Sequence, residues 1–365
     1  MKGNVLKKFL CTCLVPAAAV AATTISASAS TTFYCGGYLV EEGTPYVART
    51  EDYGSDYNKL WFISESGKWK QGDHYVGCPE YGPFEWDFTH DSYRFTYFTN
   101  DIYYDGICPE CGEKADHYSY TEFGTNEKGV SVSATETLYG NKKVTEADPY
   151  RDAEWAEANK SERIGIEETD IPTIILAEAS SAREGVKLLL DIYENYGCVA
   201  ASGVFVCDKD EVWYVENCSG TQYVAIKLND NMIFLEPNMA VIGRVDLDDE
   251  NVIASKDLIA VAKKAGTFVG DEAKNIIDFR ASYARISEKM DQRMIDGLNY
   301  LNVAYKYDSD ALVTDNTKFT ISNLDASDKL VALYTNIKAD RKLDKDDVFG
   351  YYKLSSIGKA SNQEI

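Results

Sequence analysis

The cysteine in "TTFYCGGYLV", Cys35, stands just beyond an apolar leader and offers the most direct route to hydrolytic chemistry in this chain. A thiol is more nucleophilic than a serine hydroxyl, but at neutral pH a base must still take its proton. Only three histidines exist, His74, His90 and His117, all within a Trp- and Tyr-rich stretch without a serine elbow beside them. No Ser/His/Asp order is selected by such a sequence, and both HEXXH and a dinucleotide-binding glycine pattern are absent. Scission of the bond between Tyr34 and Cys35 would supply the missing base. The freed α-amine, with a reference pKa of roughly 7.7 to 8.0, would take the thiol proton while sulfur attacks a carbonyl carbon. Collapse would pass that proton to the leaving amine, and water would then release the acyl group from the thioester.

The remaining cysteines point less sharply. Cys11 and Cys13 lie in the leader, leaving Cys35, Cys78, Cys108, Cys111, Cys198, Cys207 and Cys218, an odd number that cannot all pair within one monomer. "CPEC" at 108–111, with His74 and Cys78, has a weak four-ligand zinc spacing, and a loop disulfide or separate thiols fit it as simply. No cofactor or metal is assigned.

The elements that must position such chemistry read as strands first and helices later. "GGYLVEEGTPYVAR", "GVFVCDKDEVWYVE" and "YVAIKLNDNMIFLEPN" each read as two strands about a short turn, which favours antiparallel sheets because parallel neighbours need long crossovers. "SSAREGVKLLLDIYENYG" predicts a helix with a capping box from Ser181 to Glu184 and a closing Gly197. Beyond about residue 254, "ASKDLIAVAKKAG", "RISEKMDQRMIDGLNYLNVAY", "NLDASDKLVALYTNI" and "LDKDDVFGYYKL" have helical periodicity. The fold class expected is α+β, with helices segregated onto antiparallel sheets.

The first 29 residues, a basic "MKGNVLKK", the apolar "FLCTCLVPAAAVAA" and small residues ending "ASA" at 27–29, read as a secretory signal peptide. Cleavage after Ala29 would leave "STTFY" ahead of Cys35, so 30–34 is expected to be a short pro-segment and 35–365 one domain with a helical C-terminal elaboration. The expected location is secreted or cell-envelope, without a stable membrane anchor, since Tyr34 is too bulky to precede a lipidated cysteine. A formal charge of -22 opposes nucleic acid as a partner, because nonspecific binding recruits basic patches. Composition leaves the oligomeric state undetermined.

"CGGYLVEEGTPYVARTED" resembles the opening of the C69 family of dipeptidases, within the N-terminal-nucleophile hydrolases. The resemblance continues in order through "YSYTEFGTNEKGVSVSATETLYGN", "SAREGVKLLLDIYENYG", "GVFVCDKDEVWYVENCSG" and "FLEPNMAVIG". It implies a four-layer αββα sandwich and hydrolysis of short peptides, dipeptides foremost, with a free amino end. On this resemblance Cys35 is the nucleophile, with Arg49 and Asp52 positioning its head, Asn238 donating to the oxyanion, and Glu136 pairing with the substrate ammonium. Arg293 is the expected second arginine, with Arg280 as its competitor. Where relatives carry "GSGHXW" this chain has "CSGTQY", placing Thr221 and Tyr223 at the histidine and tryptophan positions. The other readings are an extracellular binding or scaffold protein on a degenerated hydrolase fold, and a related acyl-amide hydrolase.

Overall fold

Four β-branched or aromatic residues and a thiol, Thr31–Cys35, form strand β1 in a computed structural model, and all five are buried. The described residues are 30–50, 59–77, 84–100, 121–135, 138–285, 291–301, 305–307, 319–321 and 342–360. The leader, Asp52, Cys78, Cys108, Cys111, His117, Glu136 and the helix expected over 323–337 lie outside them.

The chain continues through β2 (Tyr46–Thr50), β3 (Lys59–Ser64), a β4–β5 hairpin (His74–Val76 and Glu85–Asp87) and β6 (Phe95–Asn100). Strands β7 (Phe123–Asn126) and β8 (Ser131–Thr135) precede the helices α1 (Lys142–Ala147), α2 (Ala153–Asn159), α3 (Ile171–Glu178) and α4 (Ala182–Asn195). Next come β9 (Ser202–Cys207), β10 (Val212–Asn217), β11 (Tyr223–Lys227), β12 (Ile233–Glu236), β13 (Arg244–Asp246) and β14 (Val252–Ala254). The later helices include α5 (Leu258–Ala265), α6 (Phe279–Tyr283), α7 (Gln292–Tyr300), α8 (Lys345–Tyr352) and α9 (Ser355–Ala360).

Two antiparallel sheets face one another. One has the order β12-β1-β2, and the other runs β14-β11-β10-β9-β8-β7-β6-β3. Side-chain alternation along the larger sheet feeds two cores. Phe205, Tyr214, Val224 and Ile226 pack with Tyr34 and Phe234 of the smaller sheet, whereas Val204, Val206, Trp213 and Val215 pack with α3 and α4. Met294 and Leu298 of α7 and Tyr351 of α8 join the first core from beyond the smaller sheet. The order helix, sheet, sheet, helix is the expected α+β αββα sandwich. Among the described residues no helix is long and apolar enough to cross a membrane.

Local chemistry explains the helix ends. The Ser181 side chain accepts from the Glu184 N–H at 3.2 Å, while Glu184 returns to Ser180 rather than to Ser181, so only half of the expected capping box forms. Gly197 takes φ 77° and donates to the Ile192 and Tyr193 carbonyls, closing α4. Asp344 and Asp347 make a full capping box on α8. Gly297 lets α7 lie against its neighbours, since a Cβ there would sit 2.5 Å from Tyr351 and 2.8 Å from Leu235.

Two expectations are corrected. The strand expected in "GGYLV" lies earlier, at "TTFYC", and Gly37–Leu39 is a 3-10 turn. A Cβ on Gly36 would fall 2.1 Å from the Asp230 carbonyl oxygen, so the chain passes too close to that backbone for an ordinary residue. "YVAIKLNDNMIFLE" is not a hairpin either, because β11 belongs to the larger sheet and β12 to the smaller. Their apolar faces meet across the sandwich instead of their edges meeting within one sheet.

The position of β1 also bears on residues 30–34 as a disposable pro-segment. β1 pairs with β12 from Thr32 to Cys35 and with β2 from Thr31 to Cys35, so discarding 30–34 would remove four of its five residues. Phe33 and Tyr34, exposed by 0% and 1%, would leave the core with them. Each such side chain contributes about 1.5–3 kcal/mol by burial, against a total stability of about 5–15 kcal/mol. A chain produced to begin at Cys35 is expected to lose its cooperative unfolding transition, which circular dichroism on heating will read; a sharp transition near that of the chain beginning at Ser30 would contradict this placement.

Candidate active site

Strand parity divides the expected site residues. Arg49 on β2 lies opposite Thr32 of β1, so its side chain shares a face with Ser30, Thr32 and Tyr34. That face looks onto the larger sheet: the Arg49 guanidinium donates to Glu122 O at 3.0 Å, to the Ser133 hydroxyl at 3.2 Å and to Ala134 O. Its Nη2 donates to Ser30 Oγ at 3.2 Å and lies 3.7 Å from Glu168 Oε1.

Arg293 reaches the same end of β1 from the other side. Asp291 caps the start of α7 and grips the arginine three times, from its N–H at 2.8 Å, Nε at 2.9 Å and Nη2 at 3.0 Å. Nη1 then donates to Ser30 O at 3.2 Å, to Thr31 Oγ1 at 2.9 Å and to Asn238 Oδ1 at 2.8 Å, while Nη2 donates to Pro237 O at 2.7 Å. A side chain only 5% exposed thus carries its charge to the head of the central strand with its donors engaged. Arg280, its competitor, sits in α6, where its charge opposes the burial of Asp278.

Asn238 follows β12 with φ 59°, a left-handed conformation that asparagine tolerates better than most residues. Accepting from Arg293 at Oδ1 sets the orientation of its amide, with Nδ2 as the donor end. The loop beyond it is tied to the larger sheet. Val241 and Ile242 donate their N–H groups to Glu216 at 2.7 and 3.1 Å. Burial pushes the Glu216 carboxyl up to about 8, against those two hydrogen bonds. Burial also pushes Glu236 up to about 7, opposed by the charges of Arg293 and Arg49, and Glu236 accepts from Thr32 Oγ1 at 3.2 Å.

Cys35 is not gathered with these groups. It points to the opposite face of β1 from Arg49 and lies five residues along the strand from Ser30, roughly 16 Å at strand rise. Its thiol is fully buried, with Gly36 O at 3.8 Å, and burial followed by the Asp347 charge pushes it up to about 12. Such a thiol is almost wholly protonated near neutrality. The expectation that Arg49 would position the head of Cys35 is therefore corrected: an odd separation along a strand puts the two side chains on different faces.

The wall of the larger sheet opens beside Arg49 into a cleft of about 280 Å³. Val47, Arg49, Ser133, Phe205, Cys207 and Val212 are among its lining. Apolar walls with one buried cation suit a small ligand with one polar function.

Thr221 and Tyr223 serve packing instead. Thr221 holds Asp148 through its N–H at 2.8 Å and its hydroxyl at 3.1 Å, and Tyr223 donates to Glu194 at 2.9 Å. His74 contacts Asp87 at 2.7 Å and Glu85 at 3.6 Å on the exposed β4–β5 hairpin. Among the described residues no group of three or more His, Cys, Asp or Glu could hold a metal ion. Among the described residues, Cys35 and Cys207 are free thiols.

Sequence reasoning passed over Ser30, Ser133, Glu216 and Glu236. For Ser30 the signal was present: the "ASA" that ends the leader places it next, and it has the same strand parity as Thr32, opposite Arg49. The two glutamates carry no sequence signal, because their neighbours come from other strands.

A protein-family model, peptidase family C69, matches residues 29–329. "Probable dipeptidase B" of Streptococcus pyogenes serotype M6 is 33% identical over 247 residues, covering 67% of this chain and 44% of that protein. "Probable dipeptidase" of Salmonella dublin is 31% identical over 262 residues, covering 70% of this chain and 53% of that protein. The chain thus spans about half the length of these relatives. Among solved structures, a penicillin V acylase from Agrobacterium tumefaciens is similar at 15% identity and a TM-score of 0.31, over 57% of this chain and 49% of that one.

The buried carboxyls make stability depend on pH. Unfolded glutamate ionises near roughly 4.3, whereas folded Glu236 and Glu216 hold their protons to about 7 and about 8. Their contribution is full below the unfolded value and is lost as pH rises through the folded values. The urea midpoint is expected to fall between pH 5 and pH 8.5, and Glu216→Gln to flatten that fall; equal slopes in the two proteins would contradict the role of Glu216.

Proposed function

Because the chain belongs to peptidase family C69, we propose that it hydrolyses amide bonds of short peptides, dipeptides foremost, at the head of β1 and after export. The observation that carries this reading is the convergence of Arg49, Arg293 and Asn238 on the first residues of the central strand.

Each group then has a task. A substrate carbonyl placed at the head of β1 would meet the amide of Asn238, whose donor end is set by Arg293. Negative charge developing on that oxygen would be met by a donor already oriented, so little reorganisation is needed during reaction. Arg49 and Arg293 add positive potential where solvent is scarce, and charges act more strongly there than in water. The cleft beside Arg49 is of the size and lining to take a small apolar side chain of the substrate. Asp52 and Glu136 keep their proposed roles, at the nucleophile's head and at the peptide ammonium. The leader supports export of the mature chain.

Hydrolysis of a dipeptide panel, followed by amine release, tests this function; no cleavage of any dipeptide by the exported protein would refute it. Asn238→Gly preserves the left-handed backbone while removing the donor. It is expected to lower kcat about 100-fold, equivalent to roughly 3 kcal/mol, with KM changed far less. A kcat within twofold of the parent would remove Asn238 from oxyanion stabilisation.

A further inference from the structure

We propose that the nucleophile is the hydroxyl of Ser30 rather than the thiol of Cys35, and that its base is the α-amine of Ser30 itself, released when the leader is cut after Ala29. This inference rests on the amide-hydrolase reading and makes this chain a serine enzyme in that fold.

The arrangement around Ser30 carries it. Arg49 donates to the hydroxyl oxygen of Ser30, and Arg293 donates to its carbonyl. The same Arg293 nitrogen holds Asn238, so serine and amide share one guanidinium. Register gives an independent statement of the same neighbourhood: Thr32 lies opposite Glu236, and two more antiparallel steps place position 30 opposite position 238. Around Cys35 the corresponding surroundings are the Gly36 carbonyl and the negative charge of Asp347. A neighbouring cation eases removal of a proton from a hydroxyl or thiol, and a neighbouring anion opposes it.

Maturation points to the same residue. The small residues of "ASA" at 27–29 end the leader in the pattern that a signal-removing peptidase cuts. Scission there makes Ser30 the first residue and leaves β1 whole, whereas scission before Cys35 divides the strand. The family match likewise begins at residue 29, six residues ahead of Cys35. Removal of the leader would then create the general base, so catalysis is latent until the chain has been exported, with no separate autoproteolytic step.

In the reaction the α-amine takes the proton of Ser30 Oγ as oxygen bonds to the substrate carbonyl carbon, and the carbonyl π pair moves to oxygen. Collapse of that oxyanion breaks the C–N bond, and the ammonium gives its proton to the departing amine. Water then loses a proton to the α-amine as it attacks the Ser30 ester. Breaking the ester C–O bond releases the acid, and Oγ recovers its proton.

The test uses the full chain expressed with its leader in an exporting host. Intact mass and N-terminal sequencing are expected to show Ser30 as the first residue. A β-lactone probe is expected to acylate Ser30, read by peptide mass mapping. Ser30→Ala is expected to lose labelling and at least about 100-fold of dipeptide hydrolysis while keeping the parent's melting transition. Ser30→Cys is expected to retain turnover and become sensitive to iodoacetamide, to which the parent and Cys35→Ala, active within about threefold of one another, are insensitive. A mature chain beginning at Cys35, acylation of Cys35, absence of acylation at Ser30, or full activity in Ser30→Ala overturns the proposal. Acylation of Ser30 in a protein that cleaves no dipeptide supports the nucleophile and sinks the substrate reading instead.

Discussion

Antiparallel pairing of β1 on both edges, with both of its faces covered, is the constraint on which the rest depends. Backbone donors and acceptors of Thr31–Cys35 are used by β2 and β12, so the strand can neither slide nor rotate without exposing buried polar groups. Parity follows at once. Even-numbered residues from 30 to 34 look across to the larger sheet, and odd-numbered ones look toward α7 and α8, where the Phe33 ring lies 5.6 Å from that of Tyr351. A single-residue shift would exchange the two sets. The head of the strand, where both sheets and α7 approach, is where polar side chains collect.

That collection consists of charges whose burial would be costly without partners. Arg293 is sustained by Asp291 and by oxygens from β1 and from the segment after β12, and Arg49 by carbonyls and a hydroxyl of the larger sheet. The guanidinium fork matters here, since a compact ammonium could not span these partners in fixed directions. Glu216 performs the complementary task, accepting backbone N–H groups so that the turn carrying Asn238 is fixed to the larger sheet. The site is therefore built across the sandwich and not within one sheet. Its geometry is as rigid as the packing of the layers.

Much of the architecture was legible. Alternating apolar residues about "CDKDE" gave a true hairpin, β9 to β10, because Asp208 accepts from the N–H groups of Asp210 and Glu211 and closes the turn locally. Ser181 and Gly197 marked the ends of α4 for equally local reasons. The same reasoning failed for β11 and β12, whose short connection resembles a hairpin loop but crosses between sheets. It fails also at "GGYLV", where glycines that permit close backbone approach form a 3-10 turn in place of the expected strand. Arg293 was separable from Arg280 only by location, because both lie in helical sequence with apolar neighbours.

Family membership, the α+β class and the residue types available for chemistry were set by the sequence itself, since local propensity, alternation and ordered motifs are properties of neighbours along the chain. Which of Ser30 and Cys35 meets the arginines was decided only by tertiary structure. Cys35 ends β1 and Ser30 immediately precedes it, five residues away, yet pleating turns them to opposite faces and strand rise separates them by roughly 16 Å. The contacts at Ser30 join residues 19 and 263 positions away, at Arg49 and Arg293, and Arg293 in turn holds Asn238; only folding brings such separations to hydrogen-bonding range.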